Sequence, residues 1–157
     1  MLPSVFAHAV EGRPAVYIAG DLYTLLASGK ETNGAYAAID AIVPPGGGPP
    51  LHLHRREDEA FYIVEGTITF YADGQTTVAG PGTWLHARRD QPHRFANESG
   101  APARILILTF PAGIEEYFWE VGRPVTDRSA PHPAPTADEI SQLLSQAGKY
   151  GIEFVPQ

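Results

Sequence analysis

Four side chains stand at spacings that suit a divalent metal: His52, His54, Glu59 and His93. Imidazole nitrogens and carboxylate oxygens are ligands that first-row transition ions share. Residues two apart in a strand face the same side, so His52 and His54 can reach one ion from one strand. Glu59 lies an odd number of residues further on, and a continuous strand would turn it away. A bend over the polar residues 55–58 must intervene, after which Glu59 opens the next strand and faces the same ion. His93 closes the set from a distant segment. Three nitrogens and one oxygen suit one divalent iron, nickel, manganese, cobalt, copper or zinc ion, and the ligand set leaves its identity open. A six-coordinate ion would keep about two positions for water, substrate or dioxygen.

The elements that must carry these residues read as short strands. Residues 15–20, 21–28 and 35–43 are rich in aromatic and β-branched types, which favour a pleated, half-buried surface. Pro44-Pro45 and the glycine run that follows stop the third. Further strands are expected at 60–64, 67–71, 75–78, 83–87 and 93–97, with Asp73-Gly74 as a hairpin turn. Residues 104–110 are apolar on both faces, which predicts a central strand. The tail changes character. Residues 114–121 predict a short helix stopped by Gly122, followed by a proline-rich extended connector over 123–135. Thr136-Ala137-Asp138-Glu139 is a capping box and opens a helix to about Ala147 with Gly148 as its stop. Ile140, Leu143 and Leu144 form its apolar face, and 150–155 is a last strand. Many short strands with regular turns, then terminal helices, predict an all-β sandwich or barrel in one domain over 1–157, its core at about 15–110 and its helical and extended tail at 111–157.

Composition excludes several functions. With no cysteine, neither disulfides nor thiolate ligands are available. A net charge of −7 argues against nucleic-acid binding, which needs a basic surface. The first six residues lack the basic and apolar regions of a secretion signal, and no run of about 18 apolar residues could span a bilayer. The expected setting is the cytoplasm, with no membrane partner.

His-x-His alone reads as two surface histidines, and Glu59 as one more carboxylate in the run Glu57-Asp58-Glu59. The flanking residues argue otherwise. From Gly46 to Gly66 the chain runs glycine, five residues, His-x-His, four residues, glutamate, six residues, glycine. This resembles the first motif of the cupin superfamily, and His93 to Asn97 resembles the end of the second. The second motif usually carries Pro-x-Gly before its histidine, where this chain has Arg88-Arg89-Asp90-Gln91-Pro92. The resemblance implies a double-stranded β-helix, the jelly-roll cupin barrel, with short C-terminal helices. Barrels of this kind often pair through sheet edges, so a homodimer is expected.

Within the superfamily, the wording from Gly48 to Gly66 and the tail from Gly113 resemble single-domain quercetin 2,3-dioxygenase-like cupins. That implies a metal-dependent oxygenase acting on a flavonol-like or other enol-containing aromatic small molecule, with dioxygen as co-substrate. His52, His54, Glu59 and His93 would hold the metal, and Glu59 would also take the substrate's hydroxyl proton. Alternatives are a metal-dependent cyclase or isomerase, such as a polyketide cyclase, and a non-catalytic small-molecule-binding cupin. Phe61, Ile63 and Phe95 share faces with ligands by parity and are candidates for the pocket wall, or equally for barrel core. His86 is a candidate pocket base or an ordinary strand histidine. His8 and His132 receive no role. Arg55 and Arg56, with Arg88, Arg89 and Arg94, are expected to be solvated or paired with Glu57 and Asp58, with an anionic-ligand site as the alternative. Phe118 and Trp119 are expected to pack, with a lid as the alternative.

Overall fold

The structure, a computed structural model, describes residues 5–157. The part of the expected leader-free start that falls on residues 1–4 lies outside them. Alternating burial along the chain produces β1 (Ala15–Ile18), β2 (Asp21–Ala27), β3 (Ala37–Val43), β4 (His52–His54), β5 (Asp58–Glu65), β6 (Ile68–Ala72), β7 (Gln75–Ala79), β8 (Trp84–Ala87), β9 (His93–Ala96) and β10 (Ala103–Phe110). The tail adds α1 (Ile114–Val121), β11 (Arg123–Pro124), α2 (Ala137–Gln146), a 3₁₀ turn (Ala147–Tyr150) and β12 (Ile152–Phe154). Seven strands in the order β11-β1-β2-β3-β10-β5-β8 form one sheet, and five in the order β12-β4-β9-β6-β7 form the other. Their antiparallel ladders and inward apolar faces make a jelly-roll β-barrel.

The barrel core is Ile39, Val43, Phe61, Ile63, Ile68, Phe95, Ile105 and their neighbours, all essentially sealed from solvent. Phe61, Phe70 and Phe95 meet with ring centroids 5.0 to 5.9 Å apart, within the range where aromatic pairs gain beyond area burial. β10 is central as expected, between β3 and β5. Its outer face is less apolar in effect than it reads: Ile105 and Ile107 are buried while Leu106 and Leu108 are half-buried. Two glycines of the first motif are there for space and backbone conformation. A Cβ on Gly48 (φ 121) would come within 2.2 Å of the Phe95 carbonyl, and one on Gly66 (φ 79) within 2.8 Å of Ala103 Cα. Asn97 belongs to the scaffold. Its Nδ2 donates to the carbonyls of Val43 (2.9 Å) and Ala101 (2.8 Å), closing the loop at one end of the barrel.

The tail folds back onto the barrel. Glu115 in α1 accepts from the Gly29 N–H at 2.8 Å. The connector is tied down along its length: Arg128 donates to Thr24 Oγ1 (2.8 Å), and His132 Nδ1 lies 2.8 Å from the Gly20 carbonyl. The capping box forms, with Glu139 N–H on Thr136 Oγ1 at 3.1 Å and Thr136 N–H on Glu139 Oε2 at 2.7 Å. Gly148 is not the stop that the sequence suggests. The helix tightens into the 3₁₀ turn through Gly148 and ends at Gly151, whose φ of 74° reverses the chain into β12. No helix among the described residues is long and apolar enough to cross a membrane.

Candidate metal centre

β4 lies between β12 and β9, and its register puts His52 opposite His93. After β4 the chain bends over residues 55–57, so β5 joins the other sheet and delivers Glu59 from across the barrel. The bend supplies the change of face that the odd spacing required. One donor atom from each of His52, His54, Glu59 and His93 lies within 4.8 Å of every other, and all four residues are buried. The glycine that would ease the turn before His93 is absent. Asp90 makes the turn instead, at φ 66°, and its N–H donates to the His54 carbonyl at 2.8 Å. Aspartate tolerates that left-handed conformation better than most residues.

The ring orientations follow from backbone carbonyls. His52 Nδ1 donates to Pro50 O and His93 Nδ1 to Gln91 O, each at 2.8 Å. Both rings therefore turn Nε2 inward, the usual way a ligating imidazole is oriented, and His93 Nε2 hydrogen-bonds Glu59 there. Glu59 Oε2 lies 2.7 Å from His93 Nε2 and 3.0 Å from His54 Nε2. His54 is nevertheless not aligned for a hydrogen bond, and both of its ring nitrogens are buried without a partner. Orphaned buried nitrogens are costly, and a divalent ion among these donors would satisfy Nε2. The residues fit such an ion.

Electrostatics favour the ligating form at His52 and Glu59 and the protonated form at His54. Burial, reinforced by the neighbouring His93, pulls His52 down to about 4 and keeps it in the neutral, ligating form. Burial also works against a charged His54, but the Glu59 and Glu57 carboxylates outweigh it and push that imidazole up to about 10. Glu59 itself, which burial alone would raise, is held well below the usual carboxylate range by His54 and His93.

His52, His54 and Glu59 form the foot of a cavity of about 100 Å³. Its walls include Tyr23, Phe95, Ile107, Tyr117 and Phe118, and its rim is Ile140, Leu143, Leu144, Ile152 and Phe154 from the tail. Ile140 and Leu144 stay 38% and 50% exposed, so the apolar face of α2 overhangs the opening more than it packs. Sequence reasoning did not place the tail at the site; its one signal was an apolar helix face on a barrel that was already closed. Phe118, expected to pack or to act as a lid, sits edge-on to Tyr23 at 5.0 Å and also lines the cavity.

Of the expected pocket residues, Phe95 is on the cavity wall. Ile63 points inward, as parity requires, and is sealed in the core, whereas Phe61, 6.2 Å from the His93 ring, lines a second cavity of about 240 Å³ together with His86 and His93. His86 faces outward from β8, half-exposed, with Nε2 2.9 Å from Asp58 Oδ2. The arginine pairing also differs from expectation. Arg55 binds Asp90 (3.0 Å) and Glu153 (2.7 Å). Glu57 instead turns inward, where it is 3% exposed and its Oε2 stands 3.6 Å from His54 Nδ1. Asp21, also missed, is buried on the cavity wall.

Residues 40–109, which run from β3 through β10 and include all four candidate ligands, match the family model for the cupin domain. The chain carries a cupin domain. It is 30% identical over 108 residues to quercetin 2,3-dioxygenase of Bacillus subtilis, a match covering 68% of this chain and 32% of that protein. It is 34% identical over 94 residues to the polyketide synthase CurC of Streptomyces cyaneus, covering 59% of this chain and 60% of that one. The chain thus spans about a third of the first relative and three fifths of the second. An RmlC-like cupin from Shewanella frigidimarina shares the fold, with a TM-score of 0.61 over 74% of this chain and 99% of that one at 23% identity. The tail that rims the cavity falls outside the matched cupin residues.

Proposed function

We propose that this cupin is a metal-dependent oxygenase acting on a small aromatic molecule that carries an enol hydroxyl. The observation that carries the proposal is the place of Glu59, which stands among the candidate ligands and also faces the foot of an apolar cavity. A substrate oxygen that reaches the cluster meets a carboxylate at the same point, ionised at neutral pH and able to accept the hydroxyl proton. His52, His54, His93 and Glu59 would hold the ion, which would supply Lewis acidity and a position for dioxygen. The aromatic walls exclude water and orient a flat ring. At about 100 Å³ the cavity takes one ring, with any larger substrate extending between Ile140 and Leu144. The distant relationship to quercetin 2,3-dioxygenase supports this reading.

A cyclase or isomerase is the second reading, favoured by the relationship to a polyketide synthase protein over a similar length of this chain. It would use the same residues without consuming oxygen. The test is metal content followed by oxygen uptake with a flavonol and with a one-ring hydroxypyranone. Stoichiometric metal with oxygen consumption, abolished in Glu59→Gln while most metal is retained, is the expected result. Bound metal without uptake for either substrate would transfer the assignment to the second reading.

A further inference from the structure

Asp21 opens β2 immediately after the turn at Ala19-Gly20, and it is 3% exposed. It lines the same cavity as the metal cluster, and its Oδ1 has no hydrogen-bond partner. The side chain lies against the glycine run, where a Cβ on Gly47 would come within 2.5 Å of Oδ1. A buried carboxyl oxygen left unpaired costs stability, and the barrel core does not need one there.

We propose that Asp21 is a second polar anchor of the cavity, hydrogen-bonding the far oxygen of a compact ring substrate whose enol end meets the metal cluster. The proposal rests on the reading of this cavity as a substrate site. Register gives the span. His52 is opposite His93, whereas Gly48, beside Asp21, touches Phe95 and Ala96 two to three residues further along β9. That separation is roughly 7–10 Å at the rise of a strand, which suits one six-membered ring with an oxygen at each end. Chemistry agrees with geometry. Burial pushes the Asp21 carboxyl up to about 8 against the opposing Gly48 N–H, so at neutral pH it is mostly uncharged and can both donate and accept. Tyr23, two residues on and facing the same side, is held protonated chiefly by burial. The far end of the site therefore offers neutral hydrogen-bonding groups and selects an uncharged hydroxyl or carbonyl over a carboxylate.

Zinc-loaded protein titrated calorimetrically with two hydroxypyranones tests this. Allomaltol and kojic acid share the ring and the chelating end and differ only at the far side, where kojic acid carries a hydroxymethyl group in place of a methyl. Wild type should prefer kojic acid by roughly fivefold, the worth of one net hydrogen bond. Asp21→Val should erase the preference and leave allomaltol affinity unchanged, and Asp21→Asn should keep it, because an amide also donates and accepts. No preference in wild type, a preference that survives Asp21→Val, or one lost in Asp21→Asn would each overturn the role of Asp21. Equal loss of both ligands in Asp21→Val would do the same, by showing a general effect on the fold. Failure of either ligand to bind wild type carrying stoichiometric zinc would overturn the substrate-site reading beneath it as well.

Discussion

Glu57 Oε2 is buried without a hydrogen-bond partner, 3.6 Å from a ring nitrogen of His54. His52 and His93 are each oriented by a carbonyl at 2.8 Å, whereas His54 has this carboxylate in the corresponding position. A carboxylate behind a ligating imidazole raises its basicity and fixes its ring, and loss of such a partner costs 10- to 100-fold in metal affinity. Glu57→Gln should therefore weaken zinc binding by roughly tenfold with stoichiometry unchanged, as read by competition with a chelating dye. Unaltered affinity would mean that the Glu57 charge does not reach the ion. The four candidate ligands were legible in the sequence from their resemblance to the cupin motifs, and a strand's period of two with the polar bend explained how His52, His54 and Glu59 can face one point. Glu57 was not. Arg55, Arg56, Glu57 and Asp58 look alike as surface charges, and only the path of the bend decides that one of them turns inward. Asp90 was illegible for a related reason: its left-handed backbone replaces a glycine that the motif leads one to expect.

At the scale of elements, α2 connects fold and site. None of its residues is fully buried, so its position depends on its ends more than on its packing. At the start, the capping box joins Thr136 to Glu139, and Arg123 adds a hydrogen bond to Glu139 Oε2 at 2.7 Å. Tyr117 from α1 donates to the Leu143 carbonyl near the other end. Replacing an N-cap threonine by alanine costs about 1 kcal/mol. Thr136→Ala should therefore lower stability in urea by about that amount and speed amide exchange in α2 selectively, because a helix with so little burial frays before the barrel opens. Exchange that rises equally in β10 would show that α2 unfolds only with the whole domain. The strands and the capping box were legible from composition, turn residues and the four-residue cap signature. The placement of α2 over the cavity was not. It rests on Arg123 at one end and Tyr117 at the other, with Leu143 and Phe118 half-buried against the barrel core, and these contacts join segments that no local pattern brings together.

At the scale of the whole molecule, the two sheets end differently. β7 is mostly exposed, and Val78 is its large apolar residue. β8, the last strand of the seven-stranded sheet, carries Trp84 at 54% exposure directly opposite Tyr62 at 40%, with Val64 at 41% on the same face of β5. A strand edge with unpaired backbone groups, bordered by exposed aromatic surface, invites pairing. We propose that two copies associate along β8, which is the homodimer expected of a barrel of this kind. The residues of this face point outward, away from the cluster that Glu59 joins from the inner face of β5, so association and metal binding should be separable. Light scattering of wild type should give twice the 16.9 kDa chain mass. Trp84→Lys, a charge of the sort that protects natural strand edges, should give the single-chain mass with metal stoichiometry unchanged. A wild-type protein of single-chain mass would refute the dimer. A Trp84→Lys dimer would move the interface to another face, with β7 and Val78 the next edge to charge.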